Sequence, residues 1–371
     1  MSPPVVPATL QLTTIPAAAV LQGVRVSGPV TRDQLVASTG LSAATVNRQV
    51  HALAASGLIV ERPDLCDPGA IGRPKNPLTL DRDSLCVAGI HVGARRSVLA
   101  IADLGGRTLY SHAVATPAGP TRTAVEALCT QLKELADRFS GRRLLWGGAA
   151  IGGTVDVETG VVDHPVLGWR GAEVGPVLAR TLGVPVSVCE HVEAMAAAEL
   201  LLTHTRVDGG SGLFIYARET AGAALTIDGR VHVPARGAGT IAHLPVNAPV
   251  IAGGYARLQQ VIGRGAARTA SELRGIPITA SPIVDERARV LGESVALLRD
   301  VINPDSIVVA GEAFAAHPDG LAPVQAAFNS ATAVSWPLEI APSRFGVRVQ
   351  ESAAVVVALS VLYADPVAAV V

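Results

Sequence analysis

"TRDQLVASTGLSAATVNRQVHALAASGLIVERP", Thr31 to Pro63, carries two short helical patterns separated by a glycine and followed by a strand-like run. Thr31 can cap the first helix, because its hydroxyl can accept from the free backbone N–H groups of the opening turn. Gly40 closes that helix with a residue that tolerates a tight bend. Ser42 is another good N-cap, and Gly57 ends the second helix. Within it, Val46, Val50 and Leu53 recur at helical spacing and form the inward stripe. Ala44, Thr45, Asn47, Arg48 and His51 are left on the opposite face.

Upstream, "IPAAAVLQGVRVSG" reads as a further helix, with Pro16 suited to its first turn and Gly28 near its end. Downstream, "LIVERP" and "NPLTLD" read as short strands flanking the polar loop "DLCDPGAIGRPK". Three helices and a two-stranded wing within residues 1–80 make a winged helix-turn-helix. Asn47 and Arg48 can pair with base edges, while Ser42, Thr45 and the helix N-terminus can contact phosphate, with Ala44 beside them. Arg73 and Lys75 sit on a glycine–proline wing loop, where a basic side chain can enter a narrow minor groove. Helix pairs also occur in packing modules that bind no DNA. Capped helices, a polar outer face and a basic wing together favour double-stranded DNA as a partner.

Composition neither adds to this nor opposes it. The 371 residues are 49% apolar with a formal net charge of −1, as in an ordinary globular protein of more than one domain. Local basic surface is enough for DNA, so neutrality excludes nothing. Lys75 and Lys133 are the only lysines, and the abundant Arg, Ala, Val and Gly suggest coding bias rather than a basic binding tract. Cys66, Cys86, Cys129 and Cys189 are widely spaced, with no zinc-knuckle or disulfide pattern, and a reduced cytoplasm is expected. No basic residue precedes Arg25, so a secretory signal is not indicated. The tail "SAAVVVALSVLYADPVAAVV" is broken by Asp365 and Pro366, which predicts a buried terminal helix and no membrane span.

From about residue 84 strands and helices alternate, which predicts an α/β body of two lobes with a cleft between them. "CVAGIHVGARRSVLAIADLGGRTL", Cys86 to Leu109, is a strand pair of the kind that holds phosphate in some ATP-using enzymes. Four later stretches follow in order: "GGTVDVETGVVDHPVLGW" from Gly152, "LGVPVSVCEHVEAMAAAEL" from Leu182, "IDGRVHVPARGAGTIAHLPV" from Ile227 and "INPDSIVVAGE" from Ile302. Together with the winged helix, their order and spacing resemble the ROK family, in its repressor branch, over nearly the whole chain. The resemblance implies an actin-like ATPase (sugar-kinase) body behind the DNA-binding domain. The expected division is 1–80 for the winged helix, 84–189 for a first lobe with residues 351–371 packing back on it, and 190–350 for a second lobe.

Against the family's kinases, four departures fall on one reaction. The hairpin motif D-x-G-G-T resembles His91–Arg95, so an acid that organises metal and phosphate becomes histidine, and Arg95 adds bulk. The catalytic aspartate of E-N-D-A-N falls on His191, preceded by Glu190. The second phosphate segment corresponds to "ARETAG", Ala217 to Gly222, where Glu219 would repel phosphate. The adenosine-side glycine pair is Ala310-Gly311. Phosphoryl transfer rests on positioning and charge neutralisation, so no enzyme activity is expected. The family's zinc histidine matches His243, but its cysteines are missing, so neither metal nor cofactor is expected.

The remaining polar set implied for an effector is Gly153, Glu190, His191, Thr240 and His243, with His191 and His243 equally readable as satisfied core residues. The expected function is a transcriptional regulator, a repressor by family analogy. It would be a homodimer or homotetramer on a near-palindromic operator, with possible sensing of a sugar or sugar-derived ligand. The alternatives are an active hexose or N-acyl hexosamine kinase with an added DNA-binding domain, and a ligand-independent DNA-binding protein whose cleft has closed.

Overall fold

The computed structural model describes residues 3–66, 76–203, 209–234, 237 and 239–370. They form two compact units, Met1–Arg206 with Gln350–Val371, and Val207–Val349.

In the first unit α1 (Pro16–Ser27), α2 (Arg32–Thr39) and α3 (Ala43–Ala55) precede the paired strands β1 (Ile59–Glu61) and β2 (Leu78–Leu80). The caps are local chemistry. Thr31 and Gln34 form a reciprocal capping box, Gly40 ends α2 at φ +69°, and the Ser42 hydroxyl accepts from the Thr45 N–H at 3.2 Å. Val46, Val50 and Leu53 are fully buried, as their spacing predicts.

The sheet that follows has the order β10-β6-β3-β4-β5. Its strands are β3 (Leu85–Val92), β4 (Arg96–Ala102), β5 (Thr108–Ala115), β6 (Arg143–Ile151) and β10 (Val186–Glu190). Between β6 and β10 lie the small antiparallel sheet β7 (Thr154–Asp156), β8 (Val161–His164), β9 (Trp169–Ala172) and the helix α5 (Val174–Leu182). α4 (Thr121–Asp137) joins β5 to β6, and α6 (His191–Leu201) follows β10.

Every residue of β3 is buried, and alternation decides against what. Cys86, Ala88, Ile90 and Val92 join the core beneath α4 and α5. Leu85 and Val87 face the other way, into a core shared with Val20, Leu21 and Val24 of α1 and with Val355, Leu359 and Leu362 of the terminal helix, Val349–Ala364. The winged helix and the first lobe therefore share one hydrophobic core.

The second unit repeats the plan. Its sheet order is β13-β12-β11-β16-β17, from β11 (Ser211–Ala217), β12 (Ala221–Ile227), β13 (Arg230–Val231), β16 (Ser306–Ala310) and β17 (Ile340–Pro342). In each unit three strands run as an antiparallel meander and two more are added in parallel beside the first. The hairpin β14 (Pro245–Ala248) with β15 (Gly254–Arg257) and helices α7 (Gln259–Ile262), α8 (Arg264–Arg274), α9 (Ser281–Ile302) and α10 (Ala322–Ala331) complete the unit.

Two sequence-based expectations change. α6 stays with the first unit, so the division falls at residues 206 and 207 instead of 189 and 190. The reason is packing: α6 lies against β6 and β10 of the first sheet, and Ala194, Met195, Ala196, Ala197 and Ala198 are buried. The terminal helical run also begins earlier than the tail suggests. Gly346–Ala364 is long and apolar enough to cross a membrane by length and composition, but 67% of it is buried within the protein.

Candidate functional site

On α3, Ala44, Asn47, Arg48 and His51 are exposed and Thr45 is half-buried. Among the described residues, Asn47 and Arg48 make no hydrogen bond or ion pair, so their donors and acceptors are available to a partner. Ser42 is exposed too, but its hydroxyl already caps α3 and lies 3.0 Å from that of Thr45. Arg73 and Lys75 lie outside the described residues. The root of the wing is braced by a carboxylate that sequence reading missed. Glu61 accepts from Arg32 of α2 at 2.6 Å and from Asn76 at 3.0 Å, and these two bonds hold its carboxyl below the usual range.

In the first unit, His91, His164, Glu190 and His191 come together. The His91 and His191 rings stack in parallel, 5.4 Å between centroids and 8° between planes. A Cβ on Gly152 would lie 3.4 Å from both the His191 ring and His164 Nε2. His164 Nδ1 accepts from the Leu167 N–H at 3.3 Å, so the proton sits on Nε2, the atom turned toward Gly152. Glu190 caps α6, accepting from the N–H groups of Val192 at 2.7 Å and Glu193 at 3.1 Å, and stands 3.4 Å from His191 Nε2.

Burial controls the charges here. It pushes Glu190 up to about 7 despite its backbone hydrogen bonds, and pushes Glu193 up to about 8, with Glu190 adding to the effect. It drives His191 down to about 4 and lowers His164, which the neighbouring His191 lowers further. The Cys189 thiol is raised well above its ordinary value by the same burial. Near neutral pH the cluster offers the uncharged imidazoles of His164 and His191 and at least one protonated carboxyl. Such a set can exchange hydrogen bonds with hydroxyls or amides and has little to attract magnesium.

Gly153 has a different task. Its φ is +98°, and a Cβ there would strike the Asp163 carbonyl oxygen of β8. Backbone packing explains that glycine without a ligand.

In the second unit, Thr240 is exposed, but its hydroxyl donates to the Ala221 carbonyl at 3.1 Å and accepts from the Ala242 N–H at 3.2 Å. His243 is exposed, with Nδ1 3.4 Å from Arg257 Nη1. Arg218, Glu219 and Thr220 form the turn between β11 and β12, at the position expected for a phosphate loop. Gly311 has φ +105°, and a Cβ there would strike the Ala217 carbonyl oxygen. Among the described residues no three His, Cys, Asp or Glu side chains are grouped to hold a metal ion.

The ROK family model matches residues 87–340. Transcriptional regulator Rv0485 of Mycobacterium tuberculosis is 46% identical over 98% of this chain and 90% of its own length, and transcriptional regulator Mb0495 of Mycobacterium bovis matches equally. The chain belongs to the ROK family. Its fold is similar to that of a ROK family transcriptional regulator, a homologue of the E. coli MLC protein (TM-score 0.76, 20% identity, 94% of this chain and 96% of that one). A ROK glucokinase from Streptomyces griseus, solved with glucose and AMPPNP, is similar over 74% of this chain and 99% of its own (TM-score 0.60, 18% identity). These likenesses make this ROK chain an α/β protein with a kinase-like body behind a winged helix.

Sequence reading treated His91 only as a lost metal ligand and overlooked His164. The available signal was the histidine directly before "PVLGW".

Proposed function

We propose that this ROK protein is a DNA-binding transcriptional regulator, acting as a repressor, whose body does not phosphorylate sugars. The observation that carries the reading is the exposed, uncommitted Asn47–Arg48 face on a capped helix of a winged domain. The names of the mycobacterial relatives support it. The body would serve self-association, as a homodimer or homotetramer, so that two recognition helices address a near-palindromic operator. It would also sense a small hydroxylated ligand, through Glu190 and His191 with His91 and His164 in the first unit. The test is binding of the full chain to fragments of its own upstream region against random DNA. Failure to prefer any fragment would refute the reading.

The likeness to a glucokinase fold sustains a second reading, an active hexose or N-acyl hexosamine kinase. The stacked imidazoles at the two former aspartate positions oppose it. Calorimetry with Mg-ATP, with and without hexoses, decides: saturable nucleotide binding with turnover would establish the kinase. The histidine stack also suits a third reading, a closed cleft without an effector, which a thermal-shift screen of sugars and sugar phosphates would favour if nothing bound.

A further inference from the structure

The terminal helix, Val349–Ala364, meets the first sheet with almost nothing between them. Gly89 of β3 and Gly148 of β6 are direct partners in the parallel register. A Cβ on Gly89 would lie 2.5 Å from the Ala354 carbonyl oxygen, and one on Gly148 would strike the Ala358 backbone nitrogen. The two adjacent glycines form a seat on which helix backbone rests against strand backbone. Near the start of the helix, Glu351 accepts from Thr108 at 2.5 Å and from Ser111, both on β5.

Near its other end the same helix holds the winged domain. Leu359 and Leu362 share the core of α1, and the Tyr363 hydroxyl donates to the Leu104 carbonyl at 2.8 Å. Arg25 of α1 is 3% exposed, and its guanidinium lies 4.6 Å from the centre of the Tyr363 ring. Gln22 Oε1 accepts from Arg25 Nε at 3.0 Å and from Nη2 at 2.6 Å. The segment ahead of α1 is tied on as well, the Thr9 N–H to Ser360 at 3.3 Å and the Thr13 hydroxyl to the Ala364 carbonyl at 3.1 Å. Gly89 lies two residues before His91 on β3, and Gly148 four before Gly152 at the end of β6.

We propose that the terminal helix is the positioning element for DNA binding: it fixes the winged domain relative to β3 and β6, with the Arg25–Tyr363 contact as its lock. Close-packed backbone leaves no side-chain slack, so a shift of those strands moves the helix, and the helix carries α1. Arg25 is a positioning residue, because its burial keeps it from touching DNA. The proposal rests on the DNA-binding reading.

The test measures binding of the full chain to its best upstream fragment and to random DNA, together with thermal unfolding. Arg25→Met retains the apolar stem, and the half-buried Gln22 amide it leaves behind can turn to water. The expected result for Arg25→Met is about tenfold weaker specific binding with random-DNA binding unchanged, since only the specific mode needs the recognition helix in register. Unfolding should be close to wild type, and Arg25→Lys should recover most of the loss. Gly148→Ala should reproduce the defect if it folds. Should it not fold, Arg25→Met decides alone. Unchanged specific binding in Arg25→Met, or a loss that only tracks the unfolded fraction, overturns the proposal. A wild-type chain that prefers no fragment at all refutes the DNA-binding reading instead.

Discussion

The outward face of α3 and the histidine–glutamate cluster of the first lobe are both polar, yet they are built in opposite ways. On α3 the apolar side is completely buried, and Asn47 and Arg48 stand in solvent with no partner among the described residues. In the cluster the polar groups themselves are buried, His91 at 1% exposure and Glu190 at 7%, and they contact one another. The first arrangement leaves its hydrogen bonds to be made with a partner. The second turns its polar groups inward upon one another, and burial favours the uncharged forms of Glu190 and His191. Polar residues alone do not mark a binding surface; what distinguishes one is whether those residues are still uncommitted.

The contrast can be broken most severely from beneath. Leu53→Ala empties a fully buried position in the core that α3 shares with the first lobe, and should cost about 2–5 kcal/mol. Chemical denaturation followed by probes in both regions should show them unfolding together. Separate transitions would mean that the two regions do not depend on one core.

Arg48→Ala attacks the outward face alone. Loss of a bidentate base contact should remove about 1–3 kcal/mol of discrimination between operator and random DNA while leaving unfolding unchanged. Comparative titration against both DNAs measures it.

The inward cluster should declare itself through pH. Glu190 at about 7 and Glu193 at about 8 hold protons in the fold well above their ordinary 4.5, so the native state is weakened as pH climbs from about 4.5 to about 8 and the loss then levels off. His191 works in the other direction. Its fall from 6.5 to about 4 means that stability is lost as pH drops through that interval. Thermal midpoints of Glu193→Gln should therefore flatten the alkaline slope, and those of His191→Gln the acid slope. Neither should alter DNA affinity at a pH where both variants are fully folded.

The smallest effect belongs to the cap. Ser42→Ala removes the acceptor for the Thr45 N–H and should cost about 1 kcal/mol of stability, read from the denaturation midpoint.

What the sequence disclosed was what neighbouring residues decide. Thr31, Gly40 and Ser42 announce the ends of α2 and α3 because caps and left-handed turns are settled within a few residues. The alternation of strand and helix in the body was legible for the same reason. The attachment of α6 was not, because it depends on burial by elements distant in the chain. Nor was the pairing of His91 with His191, residues one hundred positions apart that meet only after the sheet has formed. Gly153 looked like part of a ligand site, although the nearby Asp163 carbonyl alone demands it. The wing's basic pair, Arg73 and Lys75, remains a reading of sequence.

The common core of α1 and Val349–Ala364 also has a bearing on synthesis. The ribosome delivers α3 early, yet the hydrophobic base of its domain cannot be completed until the last helix emerges. A nascent chain would pass most of its translation with Val20, Leu21 and Val24 awaiting their final neighbours. A message interrupted ahead of residue 349 would yield a chain that carries α3 with its outward side chains but lacks the platform beneath them.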